Sequence, residues 1–141
     1  MSGKLSQIGD NYALQIVTGQ SAGPGARTTY VALCTGSVPA DNATTPTALA
    51  NEIATSGYAR QAVTWGAPTG DAPAQISNSG TVTYGPFNVN QATPITVAVL
   101  VSSASGTGGD FLAYWLLDAA VSPAAGQSVQ FAIGALILTN N

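Results

Sequence analysis

From residue 28 onward glycine and proline cut this chain into short apolar runs, and that punctuation narrows its possible folds more than any other feature. A buried helix needs an apolar period sustained over roughly 10–12 residues. Here the runs alternate or are β-branched, and they stop sooner. In Thr28–Cys34, period-two alternation puts Tyr30, Ala32 and Cys34 on one face and Val31 and Leu33 on the other. Ile95–Val101 is β-branched and almost wholly apolar, as a strand covered on both faces should be. Tyr58–Trp65, Thr81–Tyr84, Phe111–Leu117, Val129–Ile133 and Leu136–Thr139 read as further strands, and Asn51–Ile53 as a short strand or turn. The expected fold is an all-β, antiparallel β-sandwich or jelly-roll-like domain of about 7–8 strands. Leu136–Leu138 carries no charge, so it is expected to be covered and not to form a bare edge.

The first nineteen residues differ. Leu5, Ile8, Tyr12 and Ile16 recur at spacings of three and four, which predicts a short helix with one apolar stripe, capped by Ser2 and stopped by Gly19. The expected organisation is a single domain, with residues 1–19 as a helical arm, a Gly/Pro loop after it, and residues 28–141 as the β-sandwich. The helix stripe is a candidate partner contact.

Composition then restricts function. Only 6% of residues are charged, against about 25% in an ordinary domain. Neutral Ser, Thr, Asn and Gln surfaces are less costly to desolvate than ionic ones, and interface cores are depleted in Lys, Glu and Asp. This composition favours a subunit covered by neighbours over a lone domain with a neutral polar surface. Three cations on a net charge of −3 give almost no affinity for phosphate, so no nucleic-acid partner is expected. No apolar run approaches the roughly 20 residues of a membrane span, and no signal-peptide core is evident, so synthesis and retention in the cytoplasm are expected before assembly.

Catalytic chemistry finds little support. With no histidine and one cysteine, histidine-activated nucleophiles are excluded and zinc sites nearly so. Asp110 and Asp118 flank a strand about 26 Å long and cannot pair. No cofactor, metal or catalytic residue is expected. Gly106–Gly109 lacks the Lys-Ser/Thr of a phosphate loop and reads as a hairpin connection. Cys34 reads as a small buried hydrophobe. Trp65 and Trp115 are candidate glycan contacts, because sugar faces stack on rings, although filling the core is the stronger expectation. Glu52 and Arg60 are the opposite charges placed near strands, and they are expected to pair where the long loop joins the sheet.

Several stretches bring a family into view. Tyr30-Val31-Ala32-Leu33-Cys34-Thr35, then Glu52-Ile53, then Gly57-Tyr58-Ala59-Arg60-Gln61-Ala62-Val63-Thr64-Trp65-Gly66 resemble a family of small phage virion proteins common in phages of actinobacteria. Ile76-Ser77-Asn78-Ser79, Ala124–Gln127 and Phe131–Leu136 extend the resemblance over most of the chain, whereas the Thr/Pro/Ala-rich Asp41–Leu49 departs from it. Members are labelled head decoration, minor tail or tail fibre proteins. The resemblance implies a non-enzymatic virion protein. The first expectation is a capsid decoration protein, a homotrimer, with the major capsid protein and copies of itself as partners. The alternative is a minor tail or tail fibre component that binds a glycan receptor.

Overall fold

The computed structural model describes residues 1–6, 9, 13, 18, 27–37, 49–70, 74–107 and 109–139. They form nine strands: β1 (Ser2–Leu5), β2 (Thr29–Thr35), β3 (Gln61–Val63), β4 (Gln75–Ser77), β5 (Val82–Tyr84), β6 (Ile95–Val101), β7 (Phe111–Val121), β8 (Val129–Phe131) and β9 (Ile137–Thr139). Seven build one sheet in the order β3-β2-β6-β7-β1-β9-β4, and β5 and β8 pair separately. The fold is all-β and sandwich-like, as the punctuated pattern required.

The large sheet curls until its edges meet. Beyond β3, the Gly66 amide donates to the Ser77 carbonyl at 2.9 Å, and the Ser79 amide to the Thr64 carbonyl at 2.8 Å. Thr69 and Gln75 exchange two backbone bonds at 2.8 Å. The chain leaving β3 therefore lies along β4, and the exposed-edge hazard of an open sheet is largely removed. β9 is covered on both sides, parallel to β1 and antiparallel to β4. That β1–β9 pairing is the one departure from an antiparallel sheet among the described strands.

Alternation in β2 and β6 sorts side chains into two cores. Val31, Leu33, Ala98 and Leu100 face the interior with Trp115, Tyr84, Phe87 and Leu136. Ala32, Cys34, Val97, Val99, Val101 and Phe111 form a second cluster on the opposite face, joined by Leu49. The β5–β8 pair closes the main interior: the Tyr84 ring stacks on Tyr58 at 6.0 Å and meets Phe131 edge-on, and its hydroxyl donates to the Val31 carbonyl at 2.9 Å.

The start of the chain corrects the first residue of the expected helix. Ser2–Leu5 is strand β1, so Leu5 belongs to a sheet and not to a helical stripe. The physical reason is tertiary. A single helical turn in isolation is unfavourable, whereas this segment gains two ladders, with Lys4 opposite Tyr114 and Gly3 opposite Leu138. The geometry also needs a glycine: a Cβ on Gly3 would fall 2.2 Å from the Trp115 indole nitrogen. Gly9, Ala13 and Thr18 have helical backbone. Ile8, Tyr12 and Ile16, the rest of the proposed contact stripe, lie outside the described residues. Two strands were not anticipated, β1 and β4; each is only three or four residues long and carries little β-branched character.

Candidate functional site

The described polar groups converge most densely on Arg60. Its backbone lies just before β3, and the side chain is only 4% exposed. Two of its donors form a bidentate fork on Glu52, Nε to Oε1 at 2.8 Å and Nη2 to Oε2 at 2.7 Å. The other three go to the β6–β7 loop. Nη1 donates to the Ser103 carbonyl at 3.1 Å and the Ser103 hydroxyl at 3.0 Å, and Nη2 to the Gly106 carbonyl at 3.1 Å. A guanidinium has five N–H donors in a rigid plane, and here all five are used.

Glu52 is placed by its own chain. Its residue bridges Cys34, and the Ile53 amide donates to the Leu33 carbonyl at 3.0 Å, so the segment docks on the end of β2. Tyr58 completes the cluster. Its hydroxyl donates to Glu52 Oε1 at 2.8 Å and accepts the Leu33 amide at 3.0 Å. The preceding turn requires Gly57: its φ is +93°, and a Cβ there would lie 2.5 Å from the Pro86 carbonyl oxygen. Three of the four residues of the Gly-Tyr-Ala-Arg segment thus have separate jobs, a close approach, a hydroxyl bridge and, after Ala59, the charge.

Titration follows from this packing. The hydrogen bond to Glu52 raises the Arg60 pKa above its ordinary value, against the opposing effect of burial. Burial pushes the Tyr58 phenol up strongly, and the Glu52 charge adds to it. Burial chiefly, with the Glu52 charge adding to it and Arg60 opposing, pushes the Cys34 thiol up to about 12, so this thiol is a poor nucleophile.

Between the Glu52–Arg60 segment and the loop tip lies a cleft of about 360 Å³, lined by Glu52, Ile53, Ala54, Tyr58, Ala59, Arg60, Ala104, Ser105 and Gly106. A second, more apolar opening of about 280 Å³ lies where Leu5, Pro68, Ala74, Ile76 and Leu138 meet. No group of three potential metal ligands occurs among the described residues.

The two tryptophans lie elsewhere. Trp115 is 0% exposed, stacks on Trp65 with ring centres 6.3 Å apart, and donates to the Ile137 carbonyl at 2.8 Å. A ring with no accessible face cannot receive a sugar, so Trp115 as a glycan contact is corrected to a core residue. Trp65 is half-buried and donates to the Thr29 hydroxyl at 3.0 Å. Glu52 and Arg60 are brought together, as their charges suggested. Sequence reasoning missed Ser103 and Gly106, which sit 43 and 46 residues from Arg60 and carry no distinguishing pattern. It also missed the role of Asn78, whose buried side chain donates to the Gly80 and Ala132 carbonyls and accepts the Leu136 amide at 2.8–2.9 Å. Its signal was present in the Ile-Ser-Asn-Ser stretch.

A comparison with curated proteins finds no match. A family model does match, that of the podophage GP4 fiber I protein gp80, over residues 4–139. The match spans both cores, the clamp around Arg60 and the Asn78 junction, and the chain belongs to that family of phage fibre proteins.

Proposed function

We propose that this member of a phage fibre family is a non-enzymatic subunit of a virion fibre, which acts by lying against neighbouring subunits. The observation that carries the reading is the family match over residues 4–139. The charge content supports it. With 6% charged residues, most of the surface can be desolvated on assembly without stripping ions of water. The proposed partners are copies of the same chain and adjoining virion proteins, with no cofactor.

Head decoration, the first expectation from the sequence, stands second to the fibre reading, together with its trimer and its major capsid protein partner. Both readings place the chain on the particle and differ in where. Immunogold electron microscopy of intact virions separates them. The fibre reading expects label confined to fibres around the tail, and even label over the whole head overturns it in favour of decoration.

A further inference from the structure

We propose that the parallel pair β1–β9 is a mechanical clamp, which makes the domain resist tension carried from the chain entering β1 to the chain leaving β9. The proposal goes beyond the fibre reading and does not depend on it, because it rests on strand direction and the bonds that cross the pair.

Strand direction decides how a pull is shared. β1 and β9 lie side by side and run the same way, with Ser2 opposite Ile137 and Gly3 opposite Leu138. The chain therefore enters the pair at one end, through β1, and leaves it at the other, through β9. Tension between Met1 and Thr139 drags the two strands past each other along their length. The bonds between them are loaded side by side and must fail together. Had the pair been antiparallel, the chain would enter and leave at the same end, and the same tension would open the bonds one after another. Per residue a parallel ladder is slightly the weaker kind. What it alters is the direction of loading, and the rate of forced unfolding is set by the barrier along that direction.

Neither strand can slide out alone. β1 is flanked by β7 and β9, and β9 by β1 and β4, so each has a ladder on both sides. The start of the chain is tied directly to its end: the Met1 amine donates to the Ala135 carbonyl and the Ile137 amide to the Met1 carbonyl, both at 3.1 Å. The Ser2 and Thr139 hydroxyls add a contact at 3.4 Å. A side chain crosses the pair as well. The Trp115 indole, rooted in β7, packs against Gly3 and donates to the Ile137 carbonyl at 2.8 Å, so it joins β7 to β9 across β1. Both strands are also held just outside the pair. Ahead of β9, the Leu136 amide donates to Asn78 Oδ1 at 2.8 Å, and after β1 the buried Ser6 donates its amide to the Leu112 carbonyl at 2.8 Å.

The test is single-molecule force spectroscopy of the full chain, pulled in two directions. One handle is fused ahead of Met1, which keeps an N–H to donate to Ala135. The second is either fused after Asn141 or attached through Ile133→Cys, in the turn before β9, where the side chain is 66% exposed. Cys34 is buried and does not compete for that handle. The first arrangement shears the pair. The second pulls the same two strands from the same end and peels them apart. At equal loading rate, the shearing force is expected to exceed the peeling force by at least about twofold, because barriers along different directions govern the two, and the domain is expected to unfold in one step. A smaller ratio overturns the proposal, and so does a short first step in which β1 slips out ahead of the rest. The melting temperature of Ile133→Cys verifies that both arrangements pull on the same fold. Rupture forces carry no information on where the chain sits in the particle, so failure here leaves the fibre reading standing, and the reverse.

Discussion

Strand β6 and the clamp around Arg60 lie on the same curled sheet and are held by opposite means. Six of the seven β6 side chains are buried, feeding one core on each face, and none needs a partner of defined orientation. Each large one contributes roughly 1.5–3 kcal/mol by leaving water, and neighbouring apolar shapes are partly interchangeable. The clamp has one charged pair, a phenol and two loop carbonyls, and every contact depends on direction. Apolar burial holds the sheet together. The polar fork places a loop that has no apolar side chain larger than alanine to hold it, Ser102–Gly109. Non-directional forces make the scaffold, and directional ones are used where a surface must have one shape.

The sharpest way to test the apolar half is Trp115→Ala. It opens a cavity in the main core and leaves the Ile137 carbonyl without its donor, so a loss of about 3–5 kcal/mol is expected in urea unfolding. Next is Arg60→Ala, which strands Glu52 in a largely covered position and frees the loop. About 3 kcal/mol is expected, and the β6–β7 loop amides should lose hydrogen-exchange protection while those of β6 keep theirs. A loss under about 1 kcal/mol, the range of exposed pairs, would make the clamp a surface ornament.

Alkaline pH probes both regions together. Burial raises Cys34 in the second core, Tyr58 in the clamp and Tyr84 in the main core above their ordinary values. Their neutral forms are favoured by folding. The stability they contribute is whole below the unfolded values, 9.0 for the thiol and 10.0 for the phenols, and falls as pH rises beyond them. Each group costs up to about 1.4 kcal/mol per pH unit once its unfolded form ionises. The melting temperature should therefore hold steady up to about pH 9 and drop from there toward pH 12; a flat profile across that range contradicts the burial of these groups. The smallest effect is expected at Leu116, which is 59% exposed on β7. Leu116→Ala should change stability by less than about 0.5 kcal/mol, which sets the background for the other substitutions.

These differences explain what could be read from the sequence. β6 was legible because a β-branched run covered on both faces announces itself locally, and its bounds agree with the structure, Ile95–Val101. The two faces of β2 were legible through simple alternation. β1 and β4 were not, because Ser-Gly-Lys-Leu and Gln-Ile-Ser become strands only through ladders to residues far along the chain. At Leu5 the helical period was overruled by those ladders, while Gly9, Ala13 and Thr18 beyond it have helical backbone. At the clamp, the scarcity of charge singled out Glu52 and Arg60, since few other opposite charges were available to pair. The remaining partners are a tyrosine hydroxyl and loop carbonyls, and backbone acceptors leave no mark in a sequence. Trp115 illustrates the converse: an indole suits a binding face and a core equally well, and only its contacts, with Gly3 beneath it, decide between them.

The claim that this polar fork, and not packing, places the loop is tested most directly by a double-mutant cycle in urea unfolding with Glu52→Ala, Arg60→Ala and the pair. Residues that act as one unit show coupling of roughly 0.5–3 kcal/mol, and a bidentate, nearly covered pair should lie in the upper part of that range, at about 2 kcal/mol or more. Coupling below about 0.5 kcal/mol would mean that the two charges act independently and that the loop is held by something other than Arg60.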